Sequence, residues 1–235
     1  AWLLYRRADY EGAVAAFSRL LQDNPSGDRA AESLFWMAES RFQLNDFEQA
    51  GTLFRRYLRD YSAGQHVEAA HYALGWTYFR QAQYGSAIPQ FEAFLRLHQA
   101  GQETLPYEAD ARLRLADSHF ALKQYPQAIR GYSALAADGD DYSLYQIGQA
   151  YANAGEPLEA ISNFRRLLDQ FPASAWREEA RESLGYVYFL SREYDQSSVI
   201  MQELIRARGL GQLAAKAQYT IGDAHFNANR LNAAV

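Results

Sequence analysis

The sequence predicts an all-α protein built as a row of antiparallel helix hairpins, and three observations predict it. Residue pairs nine apart recur along the 235-residue chain, small and large side chains alternate at fixed offsets around them, and the stretches between carry apolar residues at helical three- and four-residue steps. The stretch "LGYVYFLSREYDQSS", residues 184–198, shows the unit: Gly185 stands inside an aromatic helix, and Tyr194 follows nine residues later. Glycine costs a helix interior about 1 kcal/mol relative to alanine, so a packing requirement must offset it.

The same pair recurs at Ala38 and Phe47, Gly75 and Tyr84, Ala116 and Tyr125, Gly148 and Pro157, and Gly222 and Leu231. Twelve residues after each anchor stands another small residue, namely Ala50, Ala87, Ala128, Ala160, Ser197 and Ala234. Sixteen after stands a large one, namely Phe54, Phe91, Tyr132, Phe164 and Met201. Met37, Leu74, Leu115, Ile147, Leu184 and Ile221 precede the anchors, which lie 37, 41, 32, 37 and 37 residues apart. A partial unit fits at the start, with Ala1 as anchor and Tyr10, Ala13 and Phe17 in register.

The resulting elements are a partial repeat over 1–29, repeats at about 30–66, 67–106, 107–140, 141–176 and 177–212, and a partial repeat over 213–235, all in one solenoid. Within each, "QLNDF", "RQAQY", "NAGEP" and "LSREY" end one helix and start the next. Small anchors are expected where helix backbones approach most closely, and alanine at 38 and 116 makes size the requirement, with positive φ unnecessary. Pro89, inside a second helix, removes a backbone bond and should bend it. "LHQAGQETLPYEAD" is a longer connection and "ALAADGDDYSLY" should shorten a second helix, so the superhelical pitch should change near residues 100–141. The array begins within a first helix and stops at Val235, where "LNAAV" cannot complete a hairpin. That reads as a fragment of a longer protein, with self-association through uncapped ends as a consequence.

Leu74, Gly75, Tyr78, Tyr84, Ala87 and Phe91 in one unit, and Leu184, Gly185, Tyr188, Tyr194, Ser197 and Met201 in another, follow an order that resembles the tetratricopeptide repeat over essentially the whole chain. The resemblance implies a right-handed superhelical solenoid whose first helices line a concave groove that holds a peptide or helix of another protein. Pro157 in the aromatic position, His119 and His225 in an aromatic slot, and a usual period of 37 in place of 34 are departures from that repeat. The resemblance places three groove rows at fixed offsets. Three before the anchor stand Phe35, Tyr72, Tyr145 and Tyr219; one after it, Glu39, Trp76, Asp117, Gln149, Tyr186 and Asp223; four after it, Phe42, Phe79, Phe120, Phe189 and Phe226. The groove is expected to be aromatic and mildly acidic, suited to a segment with apolar anchors and some basic character, with Tyr72 and Trp76 the most exposed. Some of these rings are expected to fill the seams between repeats instead. Carboxylate-clamp domains of the same family use Lys and Asn where this chain has Phe35, Tyr72, Glu39 and Trp76, so that mode is excluded.

"DQFPASAWREEARESLGYVYF" and "QDNPSGDRAAESLFWMAESRF" are similar to repeats of bacterial cell-envelope proteins, the periplasmic Tol-Pal coordinator family and the outer-membrane lipoproteins that assist barrel assembly. That likeness implies a bacterial periplasmic or envelope location, with the cytoplasm as the alternative.

Composition narrows function further. A net charge of −5 argues against nucleic acid, whose affinity comes from concentrated Lys and Arg. No apolar run approaches the length that spans a bilayer. Zero cysteine excludes disulfides, thiolate metal sites and cysteine nucleophiles. The five histidines form no i, i+4 pair, "DGDD" lacks the spacing of a calcium loop, and no phosphate loop or cofactor motif occurs. Arg55, Arg56 and Arg59, like Arg165 and Arg166, read as solvated outer faces. The expectation is a non-enzymatic scaffold for protein–protein interaction in a bacterial envelope complex, without cofactor or metal. The alternatives are a saccharide-handling scaffold of an export system and the regulatory arm of an enzyme.

Overall fold

The turn inside each hairpin sets the architecture. In the computed structural model, which describes residues 1–25, 29–98, 107–208 and 212–228, left-handed backbone occurs at Ala8, Asn45, Ala82, Lys123, Gly155 and Arg192, each seven residues after an anchor. At Asn45 the N–H donates to Phe42 C=O at 2.9 Å and the next N–H, of Asp46, donates to Arg41 C=O at 2.9 Å. This pair of bonds is the Schellman motif, which ends a helix by satisfying its last carbonyls. The same pair closes the turns at Ala8, Ala82, Gly155 and Arg192. The residue after each of these turns is already the cap of the next helix, and the Asp9 and Asp46 carboxylates accept from the N–H groups of Gly12 and Gln49 at 3.0 and 3.3 Å.

Among the described residues the chain is helical and has no strand. The chain divides into two compact units. Residues 1–123 hold α1 (Trp2–Arg6), α2 (Tyr10–Asp23), α3 (Ala30–Gln43), α4 (Phe47–Asp60), α5 (Val67–Arg80), α6 (Tyr84–Leu97) and α7 (Tyr107–Ala121). Residues 124–235 hold α8 (Tyr125–Ala137), α9 (Asp141–Ala154), α10 (Pro157–Gln170), α11 (Arg177–Leu190), α12 (Tyr194–Arg208) and α13 (Gln212–Asn227). Within each unit every helix packs on the next, and odd-numbered helices also touch odd-numbered neighbours, α1 to α3 to α5 to α7 and α9 to α11 to α13. The anchor-bearing first helices therefore form a continuous inner row in each unit.

The alternation of bulk is the core itself. Ala50, Ala87, Ala160 and Ser197 are fully enclosed, as are Phe54, Phe91 and Phe164. The anchors do not mark backbone meeting backbone, as the sequence reading expects. A Cβ on Gly75 would meet the Phe91 ring at 2.8 Å and one on Gly185 would meet Met201 Cε at 2.7 Å, so the small anchor makes room for the large side chain sixteen residues on. Three buried hydroxyls are satisfied locally: Ser40, Thr77 and Ser118 donate to the carbonyls of Trp36, Ala73 and Arg114, each at 2.7 Å. Ser197 Oγ donates to Gly185 C=O at 2.8 Å.

Pro157 opens α10 at its first turn, where its missing N–H needs no partner, which explains its place in an aromatic position. Pro89 lies inside α6, yet the helix runs unbroken from Tyr84 to Leu97. The contraction near "DGDD" falls mainly in the connection: α8 has 13 residues where α10 has 14, while the link to α9 spans only 138–140. Residues 99–106 of the longer connection, and Leu231, Ala234 and the rest of "LNAAV", lie outside the described residues.

A candidate binding cleft on the first helices

The three rows expected to line the groove are not equivalent. The row four after the anchor turns back on its own hairpin: Phe42 packs edge-on to Phe47 at 5.4 Å, Phe79 to Tyr84 at 5.4 Å, and Phe189 on Tyr194 at 5.8 Å. These rings brace the corner of the turn. Phe120 is half-buried at the same offset in α7.

The row three before the anchor is covered by the following repeat. His66 stacks on Phe35 at 4.4 Å and 11°, Tyr107 packs on Tyr72 at 5.1 Å, and Trp176 stacks on Tyr145 at 5.4 Å and 15°. Each covering residue precedes or opens a first helix, nine before its own anchor. Phe35 is consequently a core residue, 3% exposed. Tyr219, at this offset in α13, is 74% exposed and Phe226 61% exposed, on the same helix as the half-buried Asp223.

That leaves the row one after the anchor. Glu39, Trp76 and Asp117 belong to the first unit; Gln149 and Tyr186 belong to the second. Gln149 donates to Ser183 Oγ at 2.9 Å and to the Tyr145 hydroxyl, whereas Tyr186 is 52% exposed and stacks on Phe189.

In residues 1–123 Glu39 and Trp76, but not Asp117, border a cleft of about 750 Å³ along α1, α3, α5 and α7. Tyr5, Trp36, Tyr72, Trp76 and Tyr107 give it flat aromatic walls, and Glu39, Glu68, His66 and Arg80 are its charged or titratable lining. Tyr72 and Trp76 are less free than expected. Both are half-buried, and their polar tips converge on one carboxylate oxygen of Asp110, Tyr72 Oη at 2.7 Å and Trp76 Nε1 at 2.8 Å. Arg114 bonds the other Asp110 oxygen at 3.3 Å and Asp117 at 2.6 Å while lying 5.1 Å over Trp76 and 5.7 Å over Phe79. Burial and the Asp110 bond drive the Tyr72 phenol pKa well above its ordinary value. Beside them His98 links α5 to α7, with Nδ1 3.0 Å from Glu68 and Nε2 3.5 Å from Glu108.

Glu39 is different. It is half-buried in the cleft wall, and among the described residues no donor pairs with its carboxylate. Desolvation raises its pKa to about 7. Tyr5, whose phenol pKa burial and the nearby Glu39 charge push upward, lines the same space. The neighbouring His66 has its pKa lowered by burial.

Sequence reasoning did not find Tyr5, Trp36, His66, Tyr107 or Arg114. Tyr5 had a signal, since it stands four after Ala1; His66, Tyr107 and Trp176 also shared one, an aromatic ring nine before the anchors Gly75, Ala116 and Gly185. Among the described residues no cluster of three metal-ligating side chains occurs, and no helix is long and apolar enough to cross a membrane.

Stacked helix hairpins with an inner row of first helices and a cleft along it define a class of helical repeat scaffolds. A family model described as tetratricopeptide repeat matches residues 1–64 and 72–143, and a second of the same description matches 142–174. The chain belongs to the tetratricopeptide repeat family, whose members bind proteins or peptides and are generally non-catalytic. Among solved structures, a tetratricopeptide repeat protein from Parabacteroides merdae superposes with a TM-score of 0.65 at 19% identity, over 87% of this chain and 75% of that one. YrrB, described as a TPR protein with an unusual peptide-binding site, gives 0.64 at 21% identity, over 86% and 97%. The C-terminal part of a TPR repeat-containing protein from Cytophaga hutchinsonii gives 0.66 at 16% identity, over 97% and 83%. At such identities the likeness is one of fold. No curated protein sequence matches the chain.

Proposed function

We propose that this protein is a non-enzymatic scaffold that holds a segment of another protein in the cleft of residues 1–123. The observation that carries this reading is the roughly 750 Å³ aromatic cleft, formed by successive first helices and bordered by Glu39. Large rings held by their neighbours offer contact area at little entropic cost, which is how interface hot spots work. The peptide-binding site named for YrrB shows that a protein of this fold takes such a guest.

We further place it in a bacterial envelope complex, on the likeness of its linkers to envelope repeats. The test is photo-crosslinking in the native host, with the crosslinking residue in place of Trp36 inside the cleft or of Arg166 on the exposed face of α10. A protein captured from position 36 and not from 166, in the envelope fraction, supports both statements. Equal capture from the two positions overturns the cleft reading, and capture in the cytosolic fraction overturns the location. The same aromatic walls suit a sugar ring, and capture of saccharide at position 36 would favour that second reading.

A further inference from the structure

One carboxylate in the first unit already has an arginine, and another at the same repeat position does not. Asp117 and Glu39 each follow an anchor by one residue. At Asp117 the arrangement is complete: Arg114, two before the anchor, bonds Asp117 at 2.6 Å and lies 5.1 Å over Trp76, which follows the preceding anchor by one. In the Glu39 repeat the position two before the anchor is Trp36, and the position one after the preceding anchor is Trp2. Those two rings pack at 4.3 Å, so the stacking is kept but the cation is missing. Glu39 is left in an aromatic cleft without a donor among the described residues.

The groups facing it do not fill the vacancy. Arg80 is engaged elsewhere, with Nη2 3.4 Å from Asn45 Oδ1 and its guanidinium 5.0 Å over Phe47. Glu68 of α5 is bonded by His98, and Tyr5 of α1 and Tyr107 of α7 bring phenols, which supply no cation. His66 lies flat on Phe35.

We propose that the cleft takes an arginine side chain of the partner segment, its guanidinium on the Glu39 carboxylate and its flat faces against the aromatic walls. This rests on the peptide-binding reading above and names the residue that the peptide must carry. Guanidinium is preferred to ammonium because it is weakly hydrated, stacks on rings and presents a fork that a carboxylate can accept. Because Glu39 holds its proton up to about pH 7, the guest displaces that proton, and affinity rises with pH through this region.

The experiment is to pan a random dodecapeptide phage library on the wild-type chain and on E39Q. A synthetic copy of the best wild-type binder and its arginine-to-citrulline analogue are then titrated by tryptophan fluorescence at pH 6, 7 and 8. Wild type should enrich peptides with arginine at one aligned position, and E39Q should not. The arginine peptide should bind wild type about tenfold or more tighter than its citrulline analogue at pH 8. That preference should shrink toward pH 6 by up to about tenfold, and in E39Q it should be absent at every pH, which subtracts any contribution of His66. The citrulline comparison leaves the protein untouched, so it holds even if E39Q folds poorly. Equal binding of the two peptides, or enrichment of lysine or of no basic residue, overturns the inference while the peptide-binding reading stands. Enrichment of no peptide at all overturns both.

Discussion

Gly148 lies against the face of Phe164, sixteen residues later: a Cβ there would stand 2.5 Å from Cε1 and 2.7 Å from Cδ1. Gly185 has the same relationship with Met201, but the atom it would meet first is the terminal Cε, at 2.7 Å. A phenyl ring enclosed in a core cannot retreat, whereas a thioether end can change rotamer. Gly148→Ala should therefore cost about 1 to 3 kcal/mol. Gly185→Ala should fall within about 0.5 kcal/mol of wild type, because the helix propensity gained by removing glycine offsets the small shift. Urea denaturation of the two variants checks the difference. Gly148→Ala combined with Phe164→Leu should recover part of the loss.

The left-handed turn residues are chemically uneven. Gly155 and Asn45 suit that backbone, while Ala8, Ala82 and Arg192 hold φ of 59°, 55° and 63° with a Cβ in place. An L-residue there costs about 1 to 2 kcal/mol, partly returned by its stiffer unfolded chain. Ala82→Gly and Arg192→Gly should each raise stability by about 0.5 to 1 kcal/mol, and Gly155→Ala should lower it by about 1 kcal/mol. Thermal melts followed by circular dichroism test the signs, and a loss of stability in both glycine variants would contradict the turn assignment.

Asp110 ties α7 to α5 through Tyr72 and Trp76, and within α7 it accepts from Arg114. Asp110→Ala leaves three donors short of an acceptor, and the expected cost is about 2 to 3 kcal/mol. Tyr72→Phe removes a single bond and should cost about 1 kcal/mol. Trp76 emission should shift in Asp110→Ala and stay in place in Tyr72→Phe, which a fluorescence spectrum of each folded variant decides.

Glu39 makes stability depend on pH in a direction opposite to that of a paired carboxylate. Its pKa is about 7 in the folded chain against 4.5 when solvated, so between these values the folded chain binds more protons than the unfolded one. Stability therefore falls as pH rises through this window and levels off above it. The fall attributable to Glu39 is on the order of 2 kcal/mol, allowing for partial exposure to the cleft. Glu39→Gln should be more stable than wild type by about that amount at pH 8 and nearly equal to it at pH 5. Denaturant midpoints of both proteins at the two pH values isolate Glu39, since the other groups cancel in the difference.

Much of this was legible before any coordinates. Gly75, Ala87 and Phe91 announce their packing by spacing, because a helix hairpin converts fixed sequence offsets into fixed contacts. Pro157 looked like an exception and is none, since its place at the first turn of α10 asks nothing of its missing N–H. The left-handed residues were not legible. Ala82, Lys123 and Arg192 carry no preference for that backbone, and tertiary closure of the hairpin imposes it on them.

The candidate groove divides the same way. Residue order alone determined that Phe35, Tyr72, Glu39, Trp76 and Phe42 recur at inner offsets, since a helix face is periodic. Only tertiary packing, within each hairpin and between one repeat and the next, decided which of them remain open to a guest. His66 closes over Phe35, Phe47 takes Phe42, Asp110 captures the tips of Tyr72 and Trp76, and Arg114 neutralises Asp117. Glu39 stays unpaired because Trp36 occupies the place where its arginine would stand. The physical reason is that the freedom of Phe35, Tyr72 and Trp76 depends on residues of the next repeat, more than thirty positions away, and no local pattern records whether such a neighbour brings a ring, a carboxylate or a cation.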